Sequence, residues 1–197
     1  MKQLTSLRIA CLALVIVAAS AFAVVVLAAQ DRFTLKSANG VAFSEFKGYE
    51  AWQVIASSQA DGGDGCGTSP DPGCIKSIVG NPVMIKAYGD GIPASGKPVP
   101  DGAMMAKIEW AKSRNTSAPY GVTVPGPLAE VSFMVKDSKR FPDTNGWGYA
   151  KLKYDAASRT FVPLKIEASE TRTLCHNCHV SGAKAARDFV YTSYAQR

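Results

Sequence analysis

Histidine is almost missing from this sequence: two residues in 197, His176 and His179, three positions apart near the C-terminus. That scarcity excludes a zinc site built on histidines from two separated segments, which would have to recruit distant cysteines instead. No long run of lysine or arginine occurs, so the formal charge of +6 carries no sign of a nucleic-acid partner. Two of those charges, Lys2 and Arg8, belong to the first 29 residues, which hold no acidic side chain. There is no internal repeat and no low-complexity tail.

What is present begins with an apolar run from Ile9 to Ala29, whose only hydroxyl residue is Ser20. The basic start, the run and the small residues Val26-Leu27-Ala28-Ala29 read as a signal peptide over residues 1–29, cleaved near Gln30. An uncleaved anchor is the alternative, since about 20 apolar residues span a bilayer. Either way the remainder, residues 30–197, is expected outside the cytoplasm as one domain with its own core. Cys66 and Cys74 flank a Gly/Pro loop in that oxidising setting, and a local disulfide is expected between them.

Periodicity gives the coarse fold. Phe33 to Phe43 reads as a short strand or an entry segment, and Ser44 to Ser58 as a helical turn running into a strand with Tyr49 and Trp52 in the core. Cys74 to Val79 is a strand, and Asn81-Pro82 opens a short helix with asparagine at the cap and proline at its first position. Ala103 to Ala111 alternates, placing Met104, Ala106, Ile108 and Trp110 on one face and Met105, Lys107 and Glu109 on the other. Leu128 to Lys136 sets Glu130, Ser132 and Met134 against Val131, Phe133 and Val135. Gly146 to Tyr154 and Thr160 to Leu164 form a hairpin. Ser169-Glu170-Thr171 opens a helix, and a second helical stretch, Ala183 to Tyr194, ends the chain. The order predicts an α+β fold: a mainly antiparallel sheet with a few helices on one side, the C-terminal one carrying the last two cysteines.

Those cysteines form the strongest motif, Cys175-His176-Asn177-Cys178-His179. Residues three and four apart share one helix face, with roughly 5–6 Å between Cβ atoms. Two thiols so placed can reach the two vinyl groups on one porphyrin edge, and the following His179 can turn its imidazole beneath the iron. The pattern is that of covalent c-type haem attachment, with one haem c held by Cys175, Cys178 and His179. His176 is expected to point away from the haem and to be exposed. With no histidine for the iron's other face, Met84, Met104, Met105 and Met134 are the candidates for a sixth ligand. An open or water-occupied site is favoured over all four, because methionine at strand spacing is ordinary core filler.

Further stretches then become specific. Gly48-Tyr49-Glu50-Ala51-Trp52, Gly80-Asn81, Pro100-Asp101-Gly102-Ala103-Met104-Met105-Ala106-Lys107, Val135-Lys136-Asp137-Ser138-Lys139-Arg140-Phe141, Asn145-Gly146-Trp147-Gly148-Tyr149 and the late CxxCH together resemble the cytochrome P-460 family. The likeness runs from about Phe43 to Tyr194. It implies a mostly β, periplasmic c-type haem protein, usually a homodimer, of one of two kinds. One kind carries a lysine bonded to the porphyrin and oxidises hydroxylamine to nitrogen oxides, passing electrons to a redox partner cytochrome. The other, the cytochromes c′-beta, lacks that bond and binds nitric oxide or carbon monoxide in an apolar pocket capped by phenylalanine. The resemblance sets the cross-linking lysine on Lys107, the distal carboxylate position on Ser132 with Glu130 its nearest substitute, and a pocket arginine on Lys76. Lys107 points to the first kind; Ser132 in the carboxylate position and the Phe133/Met134 surroundings point to the second. Bonding to carbon requires a neutral amine, so burial against the haem would have to lower the lysine from its usual pKa of about 10.4.

Overall fold

The computed structural model describes residues 30–61, 73–117, 119–165, 167–183 and 185–195. The leader and Cys66 lie outside them. Six strands form one sheet in sequence order, every neighbouring pair antiparallel: β1 (Gln53–Ala60), β2 (Cys74–Gly80), β3 (Met104–Asn115), β4 (Val122–Lys136), β5 (Trp147–Asp155) and β6 (Thr160–Pro163). Helix α1 (Pro82–Gly89) links β2 to β3. The C-terminal helix runs over residues 168–182 as α2 (Ala168–Thr171), a π-helical turn (Arg172–His176) and α3 (Asn177–Gly182). The α+β expectation holds.

Alternation along the strands gives the sheet two unlike faces. On one, Ala106, Val131, Phe133, Val135 and Leu152 meet Phe43, Phe46 and Tyr49, delivered by two 3-10 turns, Phe43–Phe46 and Tyr49–Ala51. Phe133 stacks on Phe46 at 4.1 Å between ring centroids and meets Phe43 and Tyr49 edge-on at 5.1 and 5.4 Å. The opposite face is covered by α1, the C-terminal helix and the final segment, around Ile55, Met84, Met105, Trp147, Tyr149 and Val190. Tyr49 is buried as expected, while Trp52 only borders the first core.

Local signals explain where α1 starts. The Asn81 side chain accepts from the Met84 N–H at 3.0 Å, as an N-cap should, and Pro82 occupies the first helical position, whose N–H has no helical partner. The same oxygen accepts from Met104 N–H at 3.0 Å, and the amide donates to the Gly102 carbonyl at 2.8 Å. One side chain therefore fixes both the helix start and the entrance to β3. Gly80 is required by close packing there, because a Cβ would come within 2.8 Å of Ile55 Cδ1.

Three expectations are corrected. Residues 33–43 form no full strand, only a 3-10 turn (Arg32–Thr34) and a single Lys36–Ala42 bridge. Strand β4 begins at Val122, not Leu128, despite Pro125 and Pro127. Its first part pairs with β3 alone, while β5 joins only from Glu130, so the prolines sit where one edge needs no donor. Among the described residues of the expected helix over 183–194, the helical part is only a 3-10 turn, Ala185–Arg187, followed by a turn at 188–189 and irregular chain. Tertiary bonds replace helical ones in that segment: Thr192 O accepts from Tyr88 Oη at 2.8 Å, and Ala195 N–H donates to Ile55 O at 3.1 Å.

Candidate functional site

A cavity of about 460 Å³ lies between the sheet and the C-terminal helix. Its helical wall carries Leu174, Cys175, Cys178 and His179; its sheet wall carries Lys76, Ile78, Met105, Lys107, Ser132, Met134, Tyr149 and Lys151. The final segment closes one side with Val190, Tyr191 and Thr192. The residues selected from sequence are thus brought together, with Glu130 just behind the wall. Met84 is buried on the inner face of α1 and Met104 packs toward the aromatic core, so of the four methionines only Met105 and Met134 border the cavity. Phe133 borders it too, but its ring is held in the aromatic core and is not available as a cap.

The helical wall has a defined hydrogen-bond polarity. His179 Nδ1 lies 2.8 Å from the Phe189 carbonyl. A carbonyl only accepts, so Nδ1 carries the proton and Nε2 keeps a free lone pair. Burial, and to a lesser degree Lys107, hold the imidazole below its ordinary pKa against the opposing effect of the Phe189 bond, which keeps the ring neutral as a metal ligand requires. Both cysteines are unbridged thiols, and burial pushes the Cys175 thiol up. Tyr191 lies across the helix at Gly182, where an added Cβ would fall 2.0 Å from its ring. From there it bonds the Cys178 carbonyl and packs at 4.8 Å on His179. This donor set fits a haem: two thiols and one neutral imidazole on one wall of an otherwise largely apolar cleft.

His176 overturns its expected exposure. It is 3% exposed, with Nδ1 2.9 Å from Tyr149 Oη and Nε2 2.9 Å from Asn145 Oδ1. It belongs to the π-helical turn, a distortion often found at functional sites. With Asn145 Oδ1 accepting, Nε2 carries the proton and Nδ1 accepts from the phenol. Burial first, then the charges of His179, Arg172 and Lys136, keep His176 below its usual pKa. Burial raises Tyr149 far enough that the phenol stays protonated and can serve as that donor.

The sheet wall is charged, and cross-strand register assembles it. Ile78, Lys107, Ser132 and Lys151 stand side by side in one row, with Lys76, Glu109, Glu130 and Lys153 in the next. Glu109 is 2% and Glu130 5% exposed. Glu109 lies 3.2 Å from Lys76 Nζ and 3.1 Å from Lys107 Nζ, while Lys151 Nζ lies 3.0 Å from Glu130. Ser132 Oγ donates to Glu130 at 3.3 Å. The two carboxyls also hydrogen-bond each other. Burial and that contact raise Glu130; burial opposes ionisation of Glu109, but Glu130, Lys107 and Lys76 together outweigh it and lower its pKa. The two carboxyls are thus pushed apart, Glu130 upward and Glu109 downward. Glu109 was not selected from sequence, although alternation already set it beside Lys107.

The family described as Cytochrome P460 matches residues 46–192, which spans the sheet, the cavity and the CxxCH helix. No curated protein matches the chain.

Proposed function

The chain belongs to the cytochrome P-460 family, a c-type haem cytochrome, and from that premise we propose that it oxidises hydroxylamine, nitric oxide or both at an open haem site. In this proposal the protein is exported to the periplasm, pairs with a second copy and hands electrons to a redox partner cytochrome. The observation that supports oxidation most is Lys107: it faces the same cavity as Cys175, Cys178 and His179 and is backed by a buried carboxyl pair. Cys175 and Cys178 would carry one covalent haem c, and His179 would hold its iron. When bound, the haem supplies an electron acceptor and a face that coordinates a small ligand.

The remaining roles fall to the sheet wall. Removing electrons from hydroxylamine also releases protons, which need acceptors close to the ligand. Ser132 presents its hydroxyl to the cavity and leads to Glu130, and Glu130 leads to the ionised Glu109. Protons can pass inward along that chain while Lys76, Lys107 and Lys151 balance its charge. A second reading, nitric oxide or carbon monoxide binding without turnover, is favoured by Ser132 itself, which puts a hydroxyl where the oxidising relatives would place a carboxylate.

One set of optical measurements separates the readings. Ferrous protein is expected to bind carbon monoxide at once, and ferric protein to consume hydroxylamine in the presence of an electron acceptor. Gas binding with no hydroxylamine consumption would select the second reading. A low-spin, gas-inert ferrous spectrum would contradict both and indicate a methionine-ligated electron carrier.

The proposal also retains the Cys66–Cys74 bridge. Cys74 opens β2 opposite Ala60, the last residue of β1, so the bridge would close the loop between the first two strands. Such a closure stabilises by on the order of 2–3 kcal/mol. Alkylation without reductant, followed by intact-mass measurement, should leave both unlabelled; labelling of both would refute it.

A further inference from the structure

Strand β4 ends on a buried ammonium group. Lys136 Nζ donates to both carboxylate oxygens of Asp188, at 3.0 and 2.8 Å, and to the Asn145 carbonyl at 2.8 Å, and it lies 5.1 Å from the centre of the Trp147 ring. Both partners are largely withdrawn from water, with side-chain exposures of 7% and 10%. Asp188 is held at two further points: its carboxylate accepts from Val99 N–H at 2.8 Å, and its main-chain carbonyl accepts from the Trp147 indole at 2.8 Å. These anchors come from three separate parts of the chain.

What they hold is an unfavourable backbone. Asp188 and Phe189 both have positive φ, 44° and 63°. Residues other than glycine rarely hold that conformation unless the surroundings impose it. The turn aims the Phe189 carbonyl at His179 Nδ1, 2.8 Å away. The second arm of the network does the same for the other histidine. Asn145, at φ 54°, gives its carbonyl to Lys136 and its side-chain oxygen to His176 Nε2.

We propose that the buried Lys136–Asp188 ion pair is a positioning device for His179: it holds the 188–189 turn so that the Phe189 carbonyl orients the imidazole and strengthens its donation to the haem iron. The inference rests on His179 being the iron ligand. A hydrogen bond from Nδ1–H to a carbonyl raises the basicity of the ligating nitrogen, which favours ferric over ferrous iron. Without the ammonium, the Asp188 carboxylate keeps its buried charge with the Val99 N–H still donating to it. The turn then relaxes toward ordinary backbone, and the Phe189 carbonyl moves off Nδ1. Neither Lys136 nor Asp188 lines the cavity, so neither touches haem or substrate.

The test uses haem-loaded full chain as wild type, Lys136→Arg, Lys136→Met and the double variant Lys136→Met/Asp188→Asn. The readouts are reduction potential and the ferrous iron–histidine stretching frequency by resonance Raman. In the charge-neutral double variant the potential is expected to move upward, and in both it and Lys136→Met the stretch is expected to move downward, while Lys136→Arg, which keeps the charge pair, stays near wild type. Lys136→Met leaves a lone buried carboxylate and can fail to fold; the double variant carries no buried charge at either position and keeps the comparison open. A folded, haem-loaded double variant with wild-type potential and stretch would overturn the proposal, as would equal shifts in the arginine and double variants. A wild type without covalently bound haem would instead overturn the ligand role of His179.

Discussion

Trypsin digestion of the haem-loaded protein is expected to release haem joined to two peptides, the Cys175–Cys178 segment and the Lys107 segment, and Lys107→Arg is expected to leave it on the cysteine segment alone. A lysine in a strand is ordinarily a solvated side chain on the open face. Lys107 keeps 37% of its side chain exposed, but that exposure is toward the cavity it borders with Cys175 and Cys178, and its amine is 3.1 Å from the buried Glu109 carboxylate. Carbon–nitrogen bond formation at the porphyrin edge would displace a carbon-bound hydrogen and remove two electrons, which a two-electron oxidant such as a peroxide would take up during maturation. Glu109 is the carboxylate within reach of the ammonium proton. Such a bond interrupts the porphyrin's conjugation, so wild type should be green with a main band far to the red and Lys107→Arg should be red. Hydroxylamine consumption should fall at least tenfold with the colour. A red wild type whose haem travels only with the cysteine peptide would contradict the oxidative proposal and leave gas binding as the function.

Phe133→Ala is expected to destabilise the fold by about 3–5 kcal/mol, the range for emptying a fully buried aromatic site. The ring is 1% exposed and touches Phe43, Phe46 and Tyr49 at once, so no neighbour can close the void without leaving its own contacts. It also sits at the centre of the sheet, on the strand that supplies Ser132 and Met134 to the cavity. Urea unfolding should show a lower midpoint with an unchanged slope. Val162→Ala, on the exposed side of β6, should stay within about 0.5 kcal/mol of wild type. A loss below about 1 kcal/mol for Phe133→Ala would mean that the aromatic cluster is not the main anchor of that sheet face.

The legible parts of this protein were those written in local pattern. Alternation in β3 set Lys107 and Met105 on one face and Ala106 on the other, and the cavity and the aromatic core keep that division. Asn81-Pro82 marked a helix start because capping depends on neighbours in sequence. The CxxCH spacing set Cys175, Cys178 and His179 on one wall of the cavity for the same reason. The parts that escaped depend on contacts between distant segments. His176 was expected outside because nothing nearby in sequence shows Tyr149 and Asn145 waiting for it. Ala183 to Arg187 has helix-forming composition, yet the chain turns at Asp188–Phe189 and continues without helix, held by bonds to Tyr88, Trp147 and Ile55. The Glu109–Glu130 pair needed the β3–β4 register, which alternation alone does not supply.

The central claim, that the CxxCH helix carries a covalent haem, is tested most directly by a denaturing gel stained for haem peroxidase activity, run on protein from cells that mature c-type cytochromes. Wild type is expected to keep its stain at the position of the chain, and Cys175→Ala/Cys178→Ala to lose it while the protein band remains. A wild-type band without stain would contradict the claim.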